Sequence, residues 1–98
     1  LPPPDATETQ AAVAVLAAVA DPVRWTVLRQ LSAGQACVCD LQASIDLPPN
    51  LLSYHLKVLR EAGLVTTTRR GRWIDYALAA DAPARLAAAL PVSEGVSR

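Results

Sequence analysis

The sequence has no Phe, no Met, a single His and only two Cys among its 98 residues. Its longest apolar stretch, residues 11–20, is far shorter than the roughly 20 residues that a transmembrane helix needs, which predicts no membrane span. An enzyme with a cysteine nucleophile needs a base beside the thiol, and His55 lies in a different predicted helix from both cysteines. We therefore expect a protein that is not an enzyme and that has no organic cofactor.

Charged residues make up only 18% of the chain and hydrophobic residues 52%, a composition that is too apolar for a disordered protein. A chain of this length has room for one hydrophobic core. Residues 1–98 are therefore predicted to form a single domain, with frayed tails at residues 1–6 and 92–98. Because the first residues lack the basic segment of a secretory signal, we expect a cytoplasmic location, where cysteines stay reduced.

Charge is distributed unevenly along the chain, although the net charge is zero. Residues 1–50 carry two basic and five acidic side chains, which gives a formal charge of −3. Residues 51–98 carry seven basic and four acidic side chains, which gives +3. A polyanion such as DNA is expected to meet the second half.

Hydrophobic periodicity and turn residues predict the order of helices and strands. Asp21 and Pro22 are typical of a helix start, and Gly63 is typical of a helix end. Gly71 supplies the backbone freedom that a hairpin turn needs. Helices are predicted at residues 7–19, 22–33, 37 or 38 to 44, 49 or 50 to 62, and 83–90, and strands at residues 64–70 and 72–78.

The packing faces of two helices follow from the same periodicity. Leu52, Leu56 and Leu59 recur at helical spacing and are predicted to face the core. Val13 in the first helix begins a second apolar stripe, which continues through residues 16 and 17. That stripe is compatible with packing against a second copy of the chain or with burial in the core of its own protomer.

The predicted fold class is mainly α with a small β-hairpin wing. A short helix, a tight break and a longer helix with a polar outer face form a helix-turn-helix, and the hairpin behind it forms a wing. The sequence therefore predicts a winged helix-turn-helix domain.

The longer helix of this motif carries candidate DNA-reading residues. Asn50, Ser53, Tyr54 and Lys57 lie on its outer face and offer donors and acceptors to base edges in the major groove. His55, in the same helix, is grouped with them as a candidate and is expected to be partly buried and hydrogen-bonded. A helix face that is simply solvated is the alternative interpretation.

The wing strengthens the DNA interpretation. Arg69, Arg70 and Arg72 surround Gly71, and no acidic residue follows before Asp75. Clustered arginines repel one another unless an anion, such as a DNA phosphate, offsets their charge. We predict that these arginines bind double-stranded operator DNA, and a winged helix that binds only protein remains an alternative.

The chain resembles the ArsR/SmtB family of metal-responsive repressors over nearly its whole length. The matching segments are ADPVRWTVL at residues 20–28, CVCDL at 37–41, LSYHLKVLREAGLV at 52–65 and RGRWIDYAL at 70–78. The resemblance implies a homodimer, joined by its first and last helices, that binds its operator and leaves it when an inducer binds.

Cys37 and Cys39 form the candidate sensing site. Residues two apart on a regular helix point in nearly opposite directions, so both sulfurs reach one ion only where the backbone is not yet helical, as at a helix start. Thiolates select soft ions, which favours As(III) as the inducer, with Sb(III), Cd(II), Pb(II) and Zn(II) as further candidates. In the family that the chain resembles, Cys-Val-Cys-Asp-Leu in this helix is the signature of the metalloid site.

Two features leave the sensing chemistry open. The arsenic sensors of the family often have a third cysteine where this chain has Gln42, so the third ligand is an outside cysteine, a small thiol, water or Asp40. A thiol redox switch is the rival interpretation of the pair. We expect strain to disfavour a disulfide between residues that are two apart.

Overall fold

The computed structural model describes residues 6–91, which form five helices and three short strands. The helices are α1 (Ala6–Val19), α2 (Pro22–Leu31), α3 (Val38–Ser44), α4 (Pro49–Glu61) and α5 (Ala82–Ala89), and the strands are β1 (Ala36–Cys37), β2 (Val65–Arg70) and β3 (Trp73–Leu78). Of the predicted tails 1–6 and 92–98, residues 1–5 and 92–98 lie outside the described residues, whereas Ala6 begins α1.

The start of α2 and the end of α4 were predicted correctly because each depends on local chemistry. The side chain of Asp21 accepts hydrogen bonds from the backbone N–H groups of Val23 and Arg24, at 2.8 and 3.1 Å. These bonds satisfy two of the free donors at the start of the helix. Gly63 follows α4 with φ of +76°, the left-handed conformation that glycine adopts most readily.

The strands form a three-stranded antiparallel sheet in the order β1-β3-β2. The predicted hairpin is confirmed as β2 and β3, with Gly71 at φ of +63° in its turn. The expectation of a two-stranded wing was incomplete, because β1 pairs with β3 on the opposite side. Two residues are too few to show a strand periodicity, so only the pairing with β3 defines β1.

The core lies between α4 and the elements around it. Leu52, Leu56 and Leu59 are all at most 1% exposed, which confirms the predicted inner face of α4. In α1 the helix buries Val15 and Ala18, whereas Val13 is 55% exposed and is therefore not part of the core of its own protomer. Nearly every residue of α1 is apolar or small, so periodicity could not identify its inner face. Part of its apolar surface therefore stays open to solvent in the single chain.

Candidate nucleic-acid interface and thiol site

The outer face of α4 presents a row of polar side chains to solvent. Asn50, Ser53, Tyr54 and Lys57 are all exposed, and Tyr54 keeps 56% of its surface. They lie opposite the buried leucines of the same helix, so packing fixes the direction of this row. Its amide, hydroxyl and ammonium groups can reach base edges or phosphates of a duplex.

His55 lies apart from this row, with a side chain that is only 13% exposed. Its Nδ1 atom is 3.0 Å from Nη1 of Arg24. A guanidinium only donates hydrogen bonds, so Nδ1 accepts here. Arg24 also donates from Nε to the carbonyl of Ala18 at 2.6 Å and from Nη2 to that of Ala17 at 3.2 Å. Through Arg24, which lies in the first turn of α2, His55 therefore connects α4 with the last turn of α1.

In the wing, Arg69, Arg70 and Arg72 are all exposed, but they are not equivalent. Arg70 donates from Nε and Nη2 to the carboxylate of Asp75, at 2.9 and 3.1 Å. Among residues 6–91, Arg69 and Arg72 have no ion pair. Arg70 therefore has an internal anionic partner, and its contact with DNA stays a prediction. Arg69 and Arg72 keep their charges available to a phosphate.

Sequence analysis did not identify Asp75 as part of the wing site. It is the one buried charged residue within the described part of the chain, at 5% exposed. In the β2–β3 register Arg70 stands opposite Trp73, so Asp75 is its diagonal neighbour on the same face of the sheet. Diagonal cross-strand pairs lie within reach of long side chains, and this rule could have predicted the contact.

The Arg70–Asp75 pair shifts both protonation equilibria. The hydrogen bonds from Arg70, and to a lesser degree its charge, hold the pKa of Asp75 below its ordinary value despite burial. The same hydrogen bonds raise the pKa of Arg70, and the charge of Asp40 adds a smaller effect in the same direction. Asp40 of α3 is therefore close enough to act electrostatically on the wing.

The lowered pKa of Asp75 predicts a pH dependence of stability. A carboxyl whose pKa is lowered by folding stabilises the folded state above its ordinary pKa of about 3.9, and this contribution disappears as the pH falls through the lowered value. We expect Asp75→Asn to unfold more easily than the parent protein at pH 7 and to lose less further stability between pH 5 and pH 2.

Urea unfolding measured across that pH range tests the expectation. Asp46→Asn is the matched control, because Asp46 is exposed and makes no ion pair within residues 6–91. A parent protein and an Asp75→Asn variant with parallel pH profiles would contradict the role of the pair. The stability of the Asp75→Asn variant should still fall somewhat at low pH, because the pKa of Asp21 is also lowered, chiefly by the backbone N–H of Arg24.

Cys37 and Cys39 are joined by a disulfide in this structure. Cys37 ends β1 with an extended backbone, at φ −78° and ψ 164°, whereas Cys39 lies in the first turn of α3. This change of backbone conformation leaves the two Cα atoms 5.3 Å apart, within the usual range for a disulfide. The expectation that a two-residue separation disfavours the bond was therefore wrong.

The two sulfurs differ in their surroundings. Cys37 is 8% exposed, and its Sγ atom accepts a hydrogen bond from the backbone N–H of Asp40 at 3.2 Å. Cys39 is exposed to solvent. Three candidate ligand atoms lie within 4.8 Å of one another, one each from Cys37, Cys39 and Asp40. Two sulfurs and one carboxylate form a donor set that fits a soft cation once the thiols are reduced.

The thiol pair is connected to both candidate DNA-contacting elements. Cys37 stands opposite Asp75 in the β1–β3 register, and Asp75 holds Arg70 of the wing. On the other side, α3 is followed by the short break that leads into α4. A conformational change at the cysteines can therefore affect the wing through Asp75 and the polar row of α4 through α3.

No single helix within residues 6–91 is long and apolar enough to cross a membrane. By length and composition alone, α1 and α2 pass such a test only as a pair, and they are bent by 83° relative to each other.

Comparison with known proteins identifies relatives for most of the chain. A profile described as "Bacterial regulatory protein, arsR family" matches residues 21–67, which span α2 to β2. The chain is 43% identical to the HTH-type transcriptional repressor SmtB of Mycobacterium tuberculosis over 77 residues, which cover 79% of the chain and 57% of that repressor. The chain therefore spans less than two thirds of that relative.

The chain is also similar to a second relative and to a solved structure. The chain is 40% identical to the biofilm growth-associated repressor of Agrobacterium fabrum over 90 residues, covering 92% of the chain and 76% of that protein. It also resembles a crystal structure described as a possible transcriptional regulator for arsenical resistance. There the identity is 36%, the TM-score is 0.71, and 76% of this chain and 77% of the other are covered.

Proposed function

Because the chain belongs to the ArsR family of bacterial regulatory proteins, we propose that it is a transcriptional repressor that binds operator DNA as a homodimer. Its operator complex dissociates when As(III), or another soft ion, binds the thiolates of Cys37 and Cys39. The chain acts in the cytoplasm, where operator DNA and reduced thiols occur together.

The observation that carries the DNA-binding proposal is the exposed polar face of α4 next to a wing in which two arginines make no ion pair within the described part of the chain. Asn50 and Ser53 lie near the start of α4, the part of a recognition helix that reaches base edges. Lys57, Arg69 and Arg72 supply positive charge for the phosphates on either side. His55 positions α4 through Arg24 rather than reading a base.

The open apolar surface of α1 supports the homodimer. Val13 is 55% exposed, and α5, which packs against α1, ends beside Leu90, which is 54% exposed. Leaving such side chains in water forgoes the stabilisation that burial gives. A second copy that places its own α1 and α5 against this surface buries both residues and sets two α4 helices side by side for two half-sites of an operator.

Thiol chemistry supports As(III) as the inducer. Arsenic in this oxidation state binds soft sulfur donors in preference to hard oxygens, and the solved relative described for arsenical resistance agrees with that choice. Sb(III), Cd(II), Pb(II) and Zn(II) are further candidates for the same thiolates. A ligand that joins Cys37 of β1 to Cys39 of α3 constrains the angle between the sheet and the helix that precedes α4.

The disulfide supports a second candidate function, that of a thiol redox sensor. In that case the dithiol loses two electrons and two protons to an oxidant as the S–S bond forms, and operator affinity differs between the two forms. Cys39 is the exposed residue of the pair, so its thiol is the one that an oxidant reaches first. Both candidates use the same two residues and the same DNA-binding surface.

Operator release measured against a panel of ligands tests the proposal. The reduced protein is bound to its promoter fragment and titrated with As(III), Sb(III), Cd(II), Pb(II), Zn(II) and hydrogen peroxide. We expect As(III) to release the operator at the lowest concentration and to weaken binding about 5- to 150-fold, the usual range of allosteric coupling. Release by peroxide alone would favour the redox sensor, and a promoter fragment that never binds would favour a protein-interaction module.

A further inference from the structure

Asp75 is a buried carboxylate of the wing that no step of the proposed function uses. Its side chain is 6% exposed, whereas that of Arg70 is 66% exposed. Asp75 lies in β3, the central strand of the sheet, opposite Thr68 of β2 and Cys37 of β1. Because strands on both sides hold its backbone by ladder hydrogen bonds, the carboxylate cannot follow Arg70 into solvent.

The pair leaves little net charge on Arg70. Two hydrogen bonds join Nε and Nη2 of the guanidinium to the two carboxylate oxygens of Asp75, which is the strongest geometry for such a pair. The pKa of Asp75 lies below its ordinary value, so the carboxylate is ionised at neutral pH and offsets the positive charge. The charge of Asp40 in α3 adds a smaller effect at Arg70.

A DNA phosphate competes poorly with Asp75 for this guanidinium. If Arg70 turned towards a phosphate, the carboxylate would stay buried without a cation, and an unpaired buried charge is strongly destabilising. The new contact would lie in water, where ion pairs contribute little. Arg70 therefore stays with Asp75 when DNA binds, in contrast to Arg69 and Arg72, which make no ion pair among residues 6–91.

We propose that Asp75 is a positioning residue that limits the affinity of the wing for non-specific DNA, because it keeps the charge of Arg70 away from phosphates. The inference rests on the proposed function, since it concerns the same DNA-binding surface. Non-specific binding depends almost entirely on phosphate contacts, and a genome offers far more non-specific sites than operators. One more free arginine in each wing would add a contact at every such site and draw the repressor away from its operator.

A free Arg70 would contribute less on the operator than on random DNA. On random DNA the protein can occupy any register and settles where a further cation meets a phosphate. On the operator, the base contacts of α4 select one register, so the position of the wing is fixed. A freed Arg70 then reaches only those phosphates that already lie beside it.

Salt titrations of DNA binding test the proposal on the full, reduced chain, with a promoter fragment and a random duplex as the two probes. The variants are Asp75→Asn, Arg70→Ala and the double variant, and Asp46→Asn is the matched control. Asp46 is exposed and makes no ion pair within the described residues. Asp46→Asn therefore removes the same negative charge without freeing a cation.

We expect Asp75→Asn to tighten binding to the random duplex about tenfold per protomer, the effect of one added hydrogen bond to a charged group. The slope of log K against log salt should become steeper by nearly two, because each protomer of a dimer adds about 0.9. Affinity for the promoter fragment should rise less. In the Arg70→Ala background, Asp75→Asn should change the slope no more than Asp46→Asn does, a dependence that a purely structural role of Asp75 would not produce.

Arg70→Gln gives a measurement that does not depend on the stability of Asp75→Asn. The glutamine amide can still donate a hydrogen bond to Asp75, and it carries no charge. Because Arg70 makes no phosphate contact under this proposal, the variant should lower the salt slope on the random duplex by less than about one. A fall of nearly two, the value for a full phosphate contact in each protomer, would overturn the proposal.

The outcomes separate this inference from the proposed function. The role of Asp75 would be overturned if Asp75→Asn bound the random duplex no more tightly than Asp46→Asn, or tightened it equally with and without Arg70, even if arsenite still released the operator. An equal gain on both duplexes, in a protein that prefers the promoter fragment, would also contradict it. A steeper slope that requires Arg70, in a protein that binds both duplexes equally well, would support the role of Asp75 and contradict the proposed function.

Discussion

We expect Cys37→Ser and Cys39→Ser to bind the operator nearly as tightly as the parent protein, and we expect arsenite to release neither variant. Serine matches cysteine closely in size, and its hydroxyl can accept a hydrogen bond, as Sγ of Cys37 accepts one from Asp40. The fold and the DNA-contacting residues therefore remain. A hydroxyl is a hard and weakly acidic ligand, so the variant offers arsenic a single sulfur. We expect the 5- to 150-fold weakening by arsenite to shrink to less than twofold.

Fluorescence anisotropy of a labelled promoter fragment, with and without arsenite, measures this difference. Asp40→Asn is the matched control, because it changes the third candidate donor near the sulfurs and leaves both thiols in place. That variant should still release the operator at a higher arsenite concentration. If both serine variants released the operator as the parent does, the assignment of the sensor to these cysteines would be wrong.

We expect Lys57→Ala and Arg72→Ala each to weaken operator binding about ten- to hundredfold per half-site, the loss expected for one hydrogen bond to a charged group. Lys57 lies on the exposed row of α4, and Arg72 lies in the wing and has no ion pair with any residue between 6 and 91. Each phosphate contact contributes about 0.9 to the slope of log K against log salt. Since a dimer carries two copies, each substitution should lower that slope by nearly two.

Two matched variants distinguish specific contacts from a loss of overall charge. Arg29→Ala removes the same charge from α2, where Arg29 packs over the ring of Trp25, and it should leave both affinity and salt slope nearly unchanged. Arg70→Ala should have a smaller effect than Arg72→Ala, because Asp75 already offsets the charge of Arg70. Equal losses for Arg29→Ala and Arg72→Ala would contradict the proposed interface.

The features predictable from the sequence are those with a local physical cause. Asp21 and Pro22 define the start of α2 because capping involves only the next few N–H groups. Gly63 ends α4 because its left-handed backbone suits a glycine. The exposed row of α4 could also be predicted from the sequence, since three leucines on one side of a helix determine which residues face outward.

The features that the sequence did not predict depend on residues distant in the chain. The strand β1 exists only because β3 pairs with it, and no two-residue pattern predicts such pairing. The inner face of α1 could not be chosen from the sequence because alanines surround the whole helix. The non-helical backbone at Cys37 was expected and is observed, whereas the disulfide between Cys37 and Cys39 was not expected.

A single titration tests most directly whether the cysteine pair controls DNA binding. Reduced protein bound to a fluorescent operator is titrated with arsenite while free thiols and operator anisotropy are measured in the same samples. The account predicts that two thiols per protomer are consumed as the operator dissociates, with the same dependence on arsenite. An operator that stays bound after both thiols are consumed, or that dissociates while both remain free, would contradict it.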